Sequence, residues 1–149
     1  MSRTADQWFV SLTVETDDKV QTHKPDQSVG VDLGVSTLAS LSDGTQVPGP
    51  KAHQRLLAKQ VRLSRQLSRK QKGSRNRYKA KMKLARFHAK IANVRTDSLH
   101  KLTTELASNY GIICIEDLNV SGMVKNHNFA RAVSDMGFFE FRRQLEYKL

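Results

Sequence analysis

The sequence predicts an α/β fold: a mixed sheet with a long basic helical hairpin inserted between its strands. Three observations carry this reading. Short Val- and Gly-rich runs at Ser28–Val35, Thr37–Leu41 and Gln46–Val47 are joined by tight polar connections, the pattern of an antiparallel meander. Apolar residues then recur at helical spacing from Ala52 to about Ala107, with Arg and Lys between them. Finally, Gly111–Glu116 (GIICIE) is a short, almost wholly apolar run, which reads as a central strand covered on both faces.

Taken in order, Gln7–Glu15 alternates apolar and polar residues and reads as a strand. Asp17–Gln27 is polar, contains Pro25 and reads as a linker. Ser42–Thr45 (SDGT) turns the meander, and Pro48 and Pro50 stop it. A first helix spans Ala52–Ser68, and Gln71–Arg77 breaks it with Gly73 and Ser74. A second helix carries Leu84, Phe87, Ile91 and Val94 on one stripe. It runs on, or restarts near Asp97, through Leu99, Leu102 and Leu106 to Asn109. Asp117–Asn128 reads as irregular. Ser134 reads as an N-cap with Asp135 in the first turn of a last helix through Phe138, Phe141 and Leu145. No Gly, Pro or polar tail stops that helix, so the domain is expected to be incomplete at its C-terminus. A strand meander followed by helices and a parallel strand matches an RNase H-like core. Residues 1–27 then form a preceding strand region and linker. Residues 28–149 form the main domain, with the hairpin at about 51–108.

Charge points to the partner. The chain of 149 residues has 25 Lys and Arg against 14 Asp and Glu, a net charge of +11. The excess is concentrated: between Asp43 and Asp97 there is no acid, and sixteen of the cations lie there. A long stripe of one sign repels itself and calls for a polyanion, with nucleic acid the natural candidate. Solvated helix faces usually mix signs. Cys114 is the single cysteine, which excludes an internal disulfide or a cysteine-rich zinc site and suits a reducing, cytoplasmic location. No apolar run is long enough for a membrane span.

Two carboxylates stand out. Asp32 lies inside an apolar strand between Gly30 and Gly34, which share its face. If buried there, it needs a compensating positive group. Glu116 ends the later apolar strand, where ligands of open α/β sheets collect. On neighbouring strands the two could share Mg²⁺ or Mn²⁺. From spacing alone the structural alternatives stay open: a backbone hydrogen bond for Asp32, a Lys or Arg partner for Glu116. His23, His53, His88, His100 and His127 show no metal-ligand spacing.

These segments resemble one family. GVDLGVSTLASLSDG (30–44) is similar to the first RuvC motif of the TnpB-type, or OrfB-family, transposon-encoded RNA-guided DNA endonucleases. Leu67–Ala107 resembles that family's basic helical segment, Ile112–Asn126 its second RuvC motif, and Ala130–Lys148 the helix that follows. Trp8–Glu15 resembles the last strand of its wedge domain. Four motifs in order are far more specific than a lone DLG or IED.

The resemblance implies a RuvC-like nuclease domain, with Asp32 and Glu116 as catalytic, metal-binding carboxylates for Mg²⁺ or Mn²⁺. It also implies guide RNA and target DNA as partners. The expected backbone contacts are Arg62, Arg65, Arg69, Lys70, Lys72, Arg75, Arg77, Lys79, Lys81 and Lys83, read from charge and not from a family motif. The family's zinc ribbon, most of its wedge region and a third RuvC motif with another Asp have no counterpart in this sequence. The chain is therefore expected to hold metal weakly or not at all, and not to cleave alone.

The competing expectation is a catalytically dead nucleic-acid-binding fragment acting through its hairpin. VDLGVST also resembles the first phosphate loop of actin-like ATPases and sugar kinases, but a second Asp-Gly loop and an adenosine site are not evident. A small basic RNA-binding protein without nuclease ancestry would leave Asp32 and Glu116 unexplained.

Overall fold

The computed structural model describes residues 1–15, 26–127 and 130–149. The expected linker at Asp17–Gln27 lies mostly outside the described residues. The chain divides into two compact units, Met1–Val20 with Ala52–Asn93, and Gln21–Lys51 with Val94–Leu149.

The first unit opens with a small antiparallel hairpin, β1 (Ser2–Thr4) and β2 (Gln7–Phe9), in register Thr4↔Gln7. The expected single strand over Gln7–Glu15 is thus shorter, and it forms the second strand of a hairpin. Both strands are exposed, and Arg3 lies over the Trp8 ring. Helix α1 (Ala52–Ser68) has the expected boundaries, and α2 (Arg75–Asn109) is one continuous helix of 35 residues. Leu63, Phe87 and Ile91 form a small buried cluster, with Leu56 and Leu84 packed against it.

The turn between these helices is closed by hydrogen bonds. Gly73 takes φ +81°, a conformation that costs glycine little. The Ser74 hydroxyl accepts from the Arg77 amide at 3.1 Å, an N-cap for α2. The Arg77 guanidinium donates to the carbonyls of Leu67 (3.1 Å) and Lys70 (3.0 Å), satisfying carbonyls at the end of α1. We expect Arg77→Met to lower the stability of this unit by about 1–2 kcal/mol. Lys79→Ala, at an exposed position, should stay within about 0.5 kcal/mol. Thermal melts of the two variants check this.

The second unit holds a four-stranded sheet in the order β5-β4-β3-β6. Strands β3 (Ser28–Leu33), β4 (Ala39–Leu41) and β5 (Gln46–Val47) form the expected antiparallel meander. Strand β6 (Ile112–Ile115) pairs parallel with β3. Alternation along β3 sends Val29, Val31 and Leu33 into the core. They join Leu99, Leu102 and Leu106 of α2, Val133 and Met136 of α4 (Ala130–Met136), and Phe138, Phe141 and Leu145 of α5 (Phe138–Lys148).

Three expectations fail here. Strand β6 lies at the sheet's edge, with Ile112 and Cys114 exposed, because the core packs against one face of the sheet only. The stretch read as irregular contains a short helix, α3 (Val120–Lys125), capped by the Asn119 side chain accepting from the Gly122 amide. Ser134 and Asp135 lie inside α4, and Asp135 is buried. The break falls instead at Gly137, φ +74°, between α4 and α5.

A polar staple ties α5 to α2. Thr103 Oγ1 lies 3.0 Å from Gln144 Oε1, both side chains fully buried. Gln144 Nε2 donates to Glu140, which also accepts two bonds from Arg143. Lys148 donates to Thr103, Thr104 and the His100 carbonyl. The Arg143 guanidinium holds the Glu140 carboxyl down at about 2. A depressed carboxyl stabilises the fold above its unfolded pKa and loses that contribution as pH falls through its folded one. Unfolding free energy should therefore drop by roughly 1–2 kcal/mol between pH 4.5 and 2, after allowing for solvent screening. Glu140→Gln should remove that component of the acid titration.

Candidate active site

Strand β3 places Asp32 on the sheet face opposite the core, alongside Ser28 and Gly30. The pairing β3–β6 runs from Ser28↔Ile112 to Val31↔Ile115. Asp32 follows Val31 within β3, and Glu116 is the first residue past the end of β6, so both carboxylates follow the last paired rung. Alternation gives Glu116 the same face as Cys114, as it gives Asp32 the face of Gly30. Both carboxylates line one shallow depression, with Ser40, Ser42 and Cys114 around them.

Asp32 and Glu116 are both exposed. Burial therefore does not create the need for a counter-charge at Asp32, contrary to the sequence expectation. The flanking glycines also act differently. Gly30 is bracketed by Ser42, whose hydroxyl accepts from the Gly30 amide at 3.1 Å and whose amide donates to the Gly30 carbonyl. Gly34 lies past the end of β3, in a turn where a Cβ would come within 2.9 Å of the Thr37 carbonyl. Its small size serves the turn.

Neighbouring acids are committed elsewhere. Asp117 accepts from Arg142 at 2.6 Å, and Arg142 is in turn held by Glu146 at 3.0 Å. Donating to Glu146 and to Asp117 raises the Arg142 pKa. Arg142 thereby fastens the segment that follows Glu116. Its only trace in the sequence is the Arg142–Glu146 spacing of four. Asp43 is held low by the Thr45 amide and by the Tyr110 hydroxyl, and serves the β4–β5 turn. Among the described residues no group of three or more His, Cys, Asp or Glu could hold a metal ion. Two exposed carboxylates do suit Mg²⁺ or Mn²⁺, hard ions that keep several waters and often take only one or two protein carboxylates.

The cations from Arg62 to Lys83 lie in the first unit. Arg62, Arg65, Arg69, Lys70, Lys72, Arg75, Lys79, Lys81 and Lys83 are exposed, and none takes part in an ion pair among the described residues. Arg77 differs: it is half-buried and occupied by the α1 carbonyls. Arg86 pairs with Asp6 at 2.6 Å. No helix among the described residues is long and apolar enough to cross a membrane.

Comparison with known proteins gives the family. The OrfB_IS605 family model, described as "Probable transposase", matches residues 11–127. A protein of Escherichia coli K12 described as "Putative RNA-guided DNA endonuclease InsQ" is 40% identical over 99% of this chain. Relatives with the same description occur in Streptomyces pristinaespiralis (44% identical over 97% of the chain) and Mycobacterium tuberculosis (38% over 93%). The chain spans 40%, 36% and 33% of these relatives' lengths. With the family match covering most of its length, including both carboxylates and the whole basic hairpin, the chain belongs to the OrfB_IS605 transposase family.

Proposed function

We propose that the chain is part of an RNA-guided DNA endonuclease, contributing two carboxylates of a metal-dependent phosphodiester hydrolysis site and a cationic arm for nucleic-acid backbones. The observation that supports this reading is the β3–β6 pairing, which ends one residue before Asp32 and Glu116, together with the one open depression that both residues line. The sheet order, with an antiparallel meander and a parallel strand after helical segments, resembles a RuvC-like RNase H core. In this reading Asp32 and Glu116 hold Mg²⁺ or Mn²⁺, and the open depression admits a phosphate. A bound divalent ion supplies Lewis-acid stabilisation of charge at phosphorus and an acidified water. The cations of the hairpin neutralise guide RNA and target DNA backbones, while base pairing reads the sequence. The place of action is the cytoplasm.

A second reading is a nucleic-acid binder without cleavage. It is favoured by the nine exposed, unpaired hairpin cations, which need no metal to act. Titration of Mn²⁺ into the chain, beside a nucleic-acid binding assay, separates the two. Mn²⁺ binding that falls in Asp32→Asn, with nucleic-acid binding retained, sustains the nuclease reading. Nucleic-acid binding with no Mn²⁺ binding that depends on Asp32 leaves the second.

A further inference from the structure

We infer that the turn-proximal end of α2 is a stacking site for an unpaired nucleotide, with Tyr78 as the platform and Arg75 and Lys81 holding the flanking phosphates. This rests on the reading of the hairpin as a nucleic-acid arm and adds to it a residue, a strand class and a geometry. Within the acid-free stretch between Asp43 and Asp97 there are two aromatic residues, Tyr78 and Phe87. Phe87 is buried in the α1–α2 cluster, whereas Tyr78 is 59% exposed. Two of the other exposed aromatic rings have taken cations from within the protein: Arg3 over Trp8, and Arg143 over Tyr147. Neither the ring nor the hydroxyl of Tyr78 has a partner among the described residues.

Its neighbours on the helix surface are set by the helical repeat. Residues three apart share a face, so Arg75 and Lys81 flank Tyr78 on either side, about 9 Å apart along the axis. Both are exposed and unpaired. The platform is also pinned. Tyr78 lies one turn from the capped start of α2, its amide donating to the Ser74 carbonyl at 3.1 Å. Ser74 and Arg77 lock the turn before it, as described above.

A rigid aromatic ring between two cations, with no acid nearby, suits a base with a phosphate on each side. Bases in a duplex are already stacked on one another, so the site favours single-stranded segments such as a loop or a displaced strand.

The test uses the full chain and 2-aminopurine-labelled oligonucleotides: single-stranded RNA, single-stranded DNA, and a matched duplex. Tyr78→Ala should weaken single-strand binding about 5- to 150-fold, the usual effect of losing one base–aromatic stack. Tyr78→Phe should bind within twofold of the unmodified chain, and duplex binding should barely change in either. Melting temperatures should nearly match, since Tyr78 is mostly exposed and belongs to neither buried cluster. A loss confined to RNA or to DNA supports the site and identifies its strand. Unchanged single-strand binding in Tyr78→Ala, or equal losses on single strand and duplex, overturns the inference while the hairpin reading stands. An unmodified chain that binds no oligonucleotide overturns both.

Discussion

Phe141→Ala is expected to cost about 3–5 kcal/mol, a large part of the stability of a small domain. Phe141 is 0% exposed and belongs to the cluster joining β3, the last turns of α2 and helices α4 and α5. Removing the ring leaves a cavity that the neighbouring buried groups cannot fill. These include Phe138, Leu99 and Met136 and the fixed Thr103–Gln144 pair. Phe139 is the internal control. It lies two residues earlier on α5 and is 70% exposed, and its replacement by Ala should stay within about 0.5 kcal/mol. Urea denaturation of both variants measures the difference. A loss near 1 kcal/mol for Phe141→Ala would mean that α5 does not seal this core.

The second large effect concerns the cationic arm. Replacing Lys79, Lys81 and Lys83 together by Ala should weaken nucleic-acid binding strongly at low salt and flatten its salt dependence. If each contacts a phosphate, the slope of log K against log salt should fall in magnitude by about 2–3. The three side chains are exposed and make no ion pair, so the folded state should keep its melting temperature. Arg77→Met should behave in the opposite way, lowering the melting temperature with little change of salt slope, because its guanidinium is bound to α1 carbonyls. Fluorescence anisotropy across a salt series resolves the two patterns.

What was legible in the sequence follows from how local each determinant is. The β3–β4–β5 meander is written in two-residue alternation and in the SDGT turn, and the Ala52–Ser68 helix in its apolar spacing. The parallel pairing of β3 with β6, which puts Asp32 and Glu116 around one depression, followed from the two apolar runs. Their exposure was not legible, because an apolar run such as GIICIE looks the same whether one face or two are covered. Helix α3 was hidden by Gly122 and Ser121, weak helix formers. The Asn119 cap and the packing of Leu118, Val120 and Met123 against the core override that propensity. Ser134 resembles an N-cap, yet the helix breaks at Gly137, whose left-handed backbone is visible only in three dimensions. A charge run likewise gives no means of separating Arg77, which closes a turn, from its solvent-facing neighbours.

The central claim is that Asp32 and Glu116 act on one ion. It is tested most directly by titrating Mn²⁺ into the chain and into Asp32→Asn, Glu116→Gln and the double variant, with free Mn²⁺ read by electron paramagnetic resonance. The account predicts that each single change weakens binding about tenfold or more and that the double change adds little, the coupling expected of two ligands to one ion. Mn²⁺ binding that is indifferent to either residue, or losses that simply add, would contradict it.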